Sequence, residues 1–214
     1  MEAQESASLF VPIHRKIAHM AKPTKTNSGK LVFRPLTAKT WPDMEVLFGS
    51  RGACGGCWCM TCRLARSEFE KDKGEKNRRA LRKIASSGAP VGMLAYTTKQ
   101  AVGWCSIAPR DQFPALGRSR VLRPVDGQPV WSVTCFFVAR EYRRSGVTPL
   151  LLRAAVAYVK KYGAKIVEGY PTEPSSENMP AVFAWTGFAS AFREAGFEEV
   201  ARRSANRPIM RSST

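Results

Sequence analysis

The stretch Trp131-Ser-Val-Thr-Cys-Phe-Phe-Val138-Ala-Arg-Glu-Tyr-Arg143-Arg-Ser-Gly146-Val-Thr148 joins two elements with different apolar patterns. Its first eight residues are mostly apolar, β-branched or aromatic, which predicts a buried strand. After Gly146 the apolar residues recur at helical spacing, which predicts a helix that Gly163 closes. The residues that carry this spacing are Val147, Leu150, Leu151, Ala154, Ala155, Tyr158, Val159 and Tyr162. The stretch therefore predicts a strand that enters a helix through a basic turn.

This turn combines arginines with a glycine at the start of the predicted helix. The first backbone N–H groups of a helix lack acceptors within it, and the helix dipole places its positive end there. Such a turn is an anion site that suits phosphate. Arg143 and Arg144 add positive charge, and Gly146 would let a ligand approach the backbone closely. A plain turn with solvated arginines is the alternative.

The strand, turn and helix together resemble the acyl-CoA signature of the GNAT superfamily of N-acyltransferases. In that pattern an apolar strand ends in Val, and Arg/Gln-x-x-Gly-x-Gly/Ala then opens a helix. Arg143 and Gly146 match the pattern, whereas Thr148 stands where the family prefers Gly or Ala. Ala195-Gly196-Phe197 resembles the family's junction after the last helix, and the order of elements over residues 90–211 is similar.

The resemblance implies an α/β (α+β) fold with a mixed, mostly antiparallel central sheet flanked by helices. The fourth and fifth strands would splay apart, and acetyl-CoA, as co-substrate, would lie between them. Its pyrophosphate would bind N–H groups of residues 143–148, and its pantetheine arm would pair with the strand edge at 136–138. The implied cofactor-binding residues are Phe136, Phe137, Val138, Arg143, Arg144, Ser145, Gly146, Val147 and Thr148. No metal is implied, and an acyl group would pass directly to a primary amine.

The catalytic residues depart from the family's pattern. Phe192 stands where many members have a Tyr that protonates the leaving sulfur, and Trp185 replaces a frequent Asn. Glu168 is the only carboxylate in the strand after the helix. A carboxylate between apolar neighbours is expected to have a raised pKa, as a base needs.

The predicted catalytic residues are therefore Glu168 as base, with Ser190 and Tyr170 as candidate acids. A Glu at a strand edge or paired with an Arg is the alternative for Glu168, and Glu173 and Glu177 are weaker candidates for the base. Thr186, Cys135 or a water molecule are further candidates for the acid.

Four of the six cysteines fall within nine residues, in Cys54-Gly-Gly-Cys57-Trp-Cys59-Met-Thr-Cys62. Paired Cys-x-x-Cys motifs are typical of zinc knuckles, but a spacer of one residue hardly allows four thiolates to surround one ion. A redox pair or reduced, partly buried thiols are the other interpretations. Because GNAT proteins place a variable acceptor wall here, the residues predicted to bind the acceptor are Cys57, Trp58, Met60 and Trp104.

The remaining pattern predicts one folded domain over residues 29–214, preceded by a flexible arm over 1–28. Strands are predicted at 31–33, 91–97, 101–107, 165–170, 197–201 and 208–211, with a hairpin at 98–100. Helices are predicted at 40–48, at 67–86 with a break near Gly74, and at 182–195. Residues 109–128 are expected to form a long irregular loop that covers a binding site.

The net charge of +17 bears on the choice of partners. The basic residues are spread along the chain, so we expect a surface that attracts a polyanionic cofactor and consider nucleic acid an unlikely partner. No apolar run is long enough to cross a bilayer, and we expect a cytoplasmic protein. The charge disfavours a polyamine acceptor and favours a neutral or acidic small amine.

Three further possibilities stay open. The chain could acetylate a peptide or protein, it could bind acyl-CoA or nucleic acid without catalysis, and it could form a homodimer.

Overall fold

The computed structural model describes residues 31–174 and 185–214. The predicted arm at 1–28 lies outside this part of the chain, as do Glu177 and residues 182–184 of the last predicted helix.

The order of strands and helices agrees with the sequence pattern. The strands are β1 (Val32–Pro35), β2 (Gly92–Tyr96), β3 (Ala101–Pro109), β4 (Trp131–Val138), β5 (Ile166–Gly169), β6 (Glu198–Arg202) and β7 (Pro208–Ser213). The helices are α1 (Trp41–Phe48), α2 (Arg66–Lys71), α3 (Glu75–Ser86), α4 (Pro114–Arg118), α5 (Val147–Lys160) and α6 (Ala189–Glu194). The loop predicted at 109–128 contains α4 and a 3₁₀ turn at Arg110–Gln112, and α6 is shorter than predicted.

The seven strands form one sheet in the order β1-β2-β3-β4-β5-β7-β6. All neighbours are antiparallel except β4 and β5, which are parallel. The α/β (α+β) class and the mixed, mostly antiparallel sheet are thus confirmed. No helix in the described ranges is long and apolar enough to cross a membrane.

The parallel pair β4–β5 is short. The two strands pair only from Trp131↔Val167 to Val133↔Gly169, whereas β4 continues to Val138. At the same point β4 carries a bulge, because Cys135 pairs with Ser106 of β3 while Val133 pairs with Ile107, which leaves Thr134 unmatched. A bulge bends its strand and locally increases the twist. The sheet therefore separates beyond Val133, as expected from the resemblance.

Each face of the sheet buries its own apolar cluster. Helix α5 covers one face with Leu151, Leu152 and Val159, all fully buried. The other face is covered by α1, α3 and the cysteine loop (residues 54–62). The buried residues on this face include Trp41 of α1 and Leu81 of α3. Each large side chain buried in this way stabilises the fold by about 1.5–3 kcal/mol. Two apolar layers therefore hold the separated strands in place.

Two glycines leave room for Phe192 in the first of these layers. The Phe192 ring is fully buried and packs edge to face on Phe136 and Phe197. A Cβ atom built on Gly169 would lie 2.1 Å from Cε1 of the Phe192 ring, and one on Gly187 would lie 3.0 Å from Cε2. The ring thus occupies space that any larger residue at 169 would take.

We predict that Gly169→Ala destabilises the protein by about 1–3 kcal/mol, because the added methyl group collides with Phe192 in a packed core. Urea unfolding measures this loss. Gly127→Ala is the matched control, since no heavy atom lies within 4 Å of a Cβ built there. Equal unfolding midpoints for the two variants would contradict the close packing at Gly169.

Candidate active site

The turn before α5 presents a series of backbone N–H groups. Gly146 caps the helix in the left-handed region with φ of 79°, and Arg144 also has a positive φ, of 60°. In the described part of the chain, the N–H groups of residues 144–148 make no hydrogen bond of good geometry. Pro149, the third helical residue, has no N–H group. Five consecutive donors at the positive end of a helix form an anion site.

The surroundings of this turn are open and positively charged. Arg143, Arg144 and Gly146 are exposed, and a Cβ atom built on Gly146 would meet no heavy atom within 4 Å. The Arg143 Nε donates to the backbone oxygen of Val138 at 3.0 Å, and the Ser145 hydroxyl donates to Tyr142. The structure therefore brings together the predicted residues 143–148, and their donors fit a phosphate group.

The edge of β4 beyond the separation is partly occupied. The Phe136 N–H group donates to the backbone oxygen of Trp185 at 2.7 Å. Because N–H groups alternate along a strand, Val138 directs its N–H group to the same edge. In the described ranges this group has no acceptor. This edge thus offers one open donor, at Val138, whereas the N–H group of Phe136 already has a partner.

Glu168 lies in a buried network of ion pairs. Its Oε1 accepts from Arg110 Nη1 at 2.9 Å and from the Tyr170 hydroxyl at 2.6 Å, and its Oε2 accepts from Arg211 Nε at 2.8 Å. Glu168 is fully buried. This arrangement favours the alternative in which Glu168 pairs with arginines, because its oxygens already have donors.

The other two predicted catalytic residues differ in position. Tyr170 is buried, and its hydroxyl also contacts Arg110 and the Ser132 hydroxyl. Burial raises the pKa of Tyr170, with the charge of Glu168 acting in the same direction. Ser190 is exposed on α6, and no hydrogen bond in the described structure joins it to this network. The structure therefore joins Glu168 to Tyr170 but not to Ser190.

The cysteine loop contacts β4 through sulfur atoms. Cys59 Sγ lies 3.2 Å from Cys135 Sγ and accepts a hydrogen bond from Trp104 Nε1. All six cysteines are free thiols. The hydrogen bond with Cys59 lowers the pKa of Cys57 to about 6, while burial raises those of Cys59 and Cys62, the latter to about 12. Within the described ranges, no group of three or more His, Cys, Asp or Glu residues could hold a metal ion.

The four residues predicted to bind the acceptor lie mainly in the core. Cys57, Trp58, Met60 and Trp104 are all at least nine-tenths buried. The Trp58 ring stacks on Trp41 and packs against Phe48. It also forms one wall of an open pocket of about 400 Å³, which is lined by Glu45, Gly49, Ser50, Trp58, Gly74, Glu75 and Arg78. Their burial favours a packing role.

Two arginines near the cysteine loop were not predicted from the sequence. Arg63 follows Cys62 directly and is 7% exposed. Arg207 lies in the turn between β6 and β7 and is half-buried. Both guanidinium groups lie close enough to the Cys62 thiol to lower its pKa against the larger effect of burial. Nothing in the local sequence pattern distinguishes these arginines from the many other basic residues of the chain.

The fold and the turn define an acyltransferase architecture, and comparisons with known proteins agree. The profile of the Acetyltransferase (GNAT) family matches residues 58–188, more than half of the chain, and the chain belongs to this family. No curated protein matches the sequence.

Several solved structures resemble the chain. A GNAT acetyltransferase from Streptococcus agalactiae has 8% identity and a TM-score of 0.50, over 86% of this chain and 95% of that chain. A GNAT acetyltransferase from Streptococcus pneumoniae has 14% identity and a TM-score of 0.49, over 86% and 99%. The PaiA N-acetyltransferase from Thermoplasma acidophilum, solved with coenzyme A, has 14% identity and a TM-score of 0.48, over 87% and 100%.

We predict that Gly146→Trp abolishes micromolar binding of acetyl-CoA, because the indole would cover the N–H groups of the turn. Calorimetry measures this binding. Gly163→Trp is the matched control, since Gly163 flanks the other end of α5, also has a positive φ of 75°, and has equally open surroundings. Equal loss in both variants would indicate strain rather than a blocked site.

We also predict that Glu168→Gln costs about 3–5 kcal/mol of stability, because it leaves buried arginines without their counter-ion. Chemical unfolding measures this cost. Glu173→Gln serves as control, since Glu173 pairs with exposed arginines and should contribute little. An unchanged stability with a large fall in kcat would instead identify Glu168 as the base.

Proposed function

We propose that this chain transfers an acetyl group from acetyl-CoA to the primary amine of a small molecule. The observation that carries the proposal is the row of N–H groups at residues 144–148 without hydrogen bonds of good geometry, in the turn that follows the end of β4 where β5 no longer pairs. Membership of the acetyltransferase family supports the same reaction class.

The binding of acetyl-CoA is assigned to two parts of the chain. The N–H groups of 144–148, with Arg143 and Arg144, would hold phosphate oxygens, since charge-assisted hydrogen bonds to such groups are strong. The open N–H group of Val138 would bind an amide of the pantetheine arm. Phe136, Phe137 and Val147 would support these groups through packing, since their side chains are buried or half-buried.

The chemistry is a direct transfer. The neutral amine nitrogen attacks the thioester carbonyl, the N–C bond forms and the C–S bond breaks. One proton leaves the nitrogen and one reaches the sulfur. Holding both reactants at the separated strands would supply the orientation that such a step needs.

Water is proposed to carry the protons of this reaction. Phe192 has no proton to give, and the oxygens of Glu168 already accept from Arg110, Tyr170 and Arg211. Tyr170 and Glu168 are proposed to position these arginines, while Ser190 stays a candidate acid on α6.

A small acceptor is supported by the loop between β3 and β4. Three arginines hold this loop on the sheet through hydrogen bonds to backbone oxygens or to Asp126. Arg110 donates to Leu122, Arg203 to Val121, Arg123 and Pro124, and Arg211 to Asp126. A loop held at several points favours a covered site, whereas a peptide or protein acceptor needs an open groove.

Release of the CoA thiol tests the proposal. We expect acetyl-CoA-dependent turnover with some members of a panel of small primary amines, and little turnover with peptides or polyamines. Faster turnover of peptides would support the protein-acetyltransferase alternative. Acetyl-CoA binding without any turnover would contradict the proposal and support a non-catalytic binding module.

A further inference from the structure

Arg63 carries a buried charge with poor compensation. Its Nε is buried and has no hydrogen-bond partner in the described structure. Its Nη2 makes one long bond, of 3.5 Å, to the backbone oxygen of Val91, and the guanidinium lies 4.6 Å above the centre of the Phe113 ring. No carboxylate in the described ranges forms an ion pair with it. Burial lowers the pKa of Arg63 to about 10.

Arg207 likewise forms no ion pair with any carboxylate of residues 31–174 or 185–214. Its Nη1 donates to the backbone oxygen of Tyr170 at 3.2 Å and to the hydroxyls of Thr172 and Thr186 at 3.0 and 2.7 Å. In the described part of the chain, its Nε and Nη2 have no acceptor. Burial lowers the pKa of Arg207.

The two arginines lie where the sheet separates. Tyr170, which accepts from Arg207, directly follows the last paired residue of β5. Cys135 of β4 follows the bulge at Thr134, and its thiol contacts Cys59 of the cysteine loop, which Arg63 directly follows. Phe113, which lies under the Arg63 guanidinium, and Tyr170, whose backbone oxygen accepts from Arg207, belong to one buried cluster, against which Cys62 packs. Arg207, beside the end of β5, and Arg63, beside the loop that contacts β4, therefore lie around the same part of the sheet.

This locality is positively charged. Glu168, the buried carboxylate nearby, is already neutralised by Arg110 and Arg211. A buried guanidinium without a partner is costly, and its planar fork matches a carboxylate in a bidentate geometry. The arrangement is thus unfavourable in the free protein and favourable once an anion binds.

We propose that the acceptor carries a carboxylate, which Arg63 and Arg207 bind beside the point where β4 and β5 separate. This inference rests on the proposed transfer of acetyl to an amine and adds the class of that amine. Amino acids are the simplest acceptors with both groups.

The first experiment compares L-amino acids with their C-terminal amides, by CoA release at a fixed pH. For the best amino acid we expect kcat/KM at least about tenfold above that of its amide, the effect of one charge-assisted hydrogen bond. The α-amine of an amino acid amide loses its proton more readily than that of the free amino acid. Intrinsic reactivity alone would therefore favour the amide, which is the opposite of the preference that we expect. Arg207→Gln should remove the preference by slowing the amino acid alone, whereas Arg79→Gln, on the exposed face of α3, should retain it.

The second experiment measures stability and needs no turnover. Arg63→Met should leave the unfolding temperature of the free protein unchanged or raise it, because an uncompensated charge is removed while packing on Phe113 is kept. Arg110→Met is the contrasting variant. It should lower the unfolding temperature, because Arg110 pairs with the buried Glu168.

These outcomes separate the two proposals. Acetylation of amides and amino acids at equal rates, or only of amines without a carboxylate, overturns the inference and leaves the acetyltransferase function intact. Equal destabilisation by Arg63→Met and Arg110→Met also overturns it, since Arg63 would then be structural. No acetylation of any amine overturns the proposed function, and the inference with it.

Discussion

The short pairing between β4 and β5 is the constraint on which the rest of the structure depends. Because these strands share hydrogen bonds only up to Val133↔Gly169, β4 continues to Val138 without β5 beside it. The same strand leads into the turn before α5, so the edge of β4 beyond Val133, which Trp185 occupies in part, and the N–H groups of 144–148 are neighbours in the chain. Apolar layers cover both faces of the sheet, with α5 on one face and α1 and α3 on the other. The proposed acetyl-CoA site depends on this interruption of the sheet.

Electrostatics distinguishes two kinds of arginine around this interruption. Arg110 and Arg211 bind the buried Glu168 and hold the loop between β3 and β4, so they contribute to the fold. Arg63 and Arg207 have no carboxylate partner in the described structure, and burial lowers the pKa of both. A protein tolerates such a cost at a functional site, where a ligand supplies the missing charge. The arginines that contribute to the net charge of +17 thus include a few, such as Arg63 and Arg207, for which we propose specific roles.

The sequence predicted the elements with strong periodicity and the turn before α5, since local patterns determine both. It also predicted the separation of β4 and β5, through a family resemblance that the profile match confirms. The roles of Glu168 and Trp58 depend instead on partners distant in sequence. Arg211 is 43 residues from Glu168, and Trp41 and Phe48 precede the loop that carries Trp58. Cys59 likewise contacts Cys135, which is 76 residues away in the sequence. The exposure of Ser190 also depends on how the whole chain packs. No local pattern contains these tertiary contacts.

Amide hydrogen exchange of residues 144–148, measured with and without coenzyme A, tests the central claim most directly. These N–H groups make no hydrogen bond of good geometry in the described structure and should exchange rapidly in the free protein. Coenzyme A should slow their exchange strongly and leave the amides around Gly163, at the other end of α5, unchanged. Unchanged exchange at 144–148 under conditions where coenzyme A binds would show that the phosphates lie elsewhere.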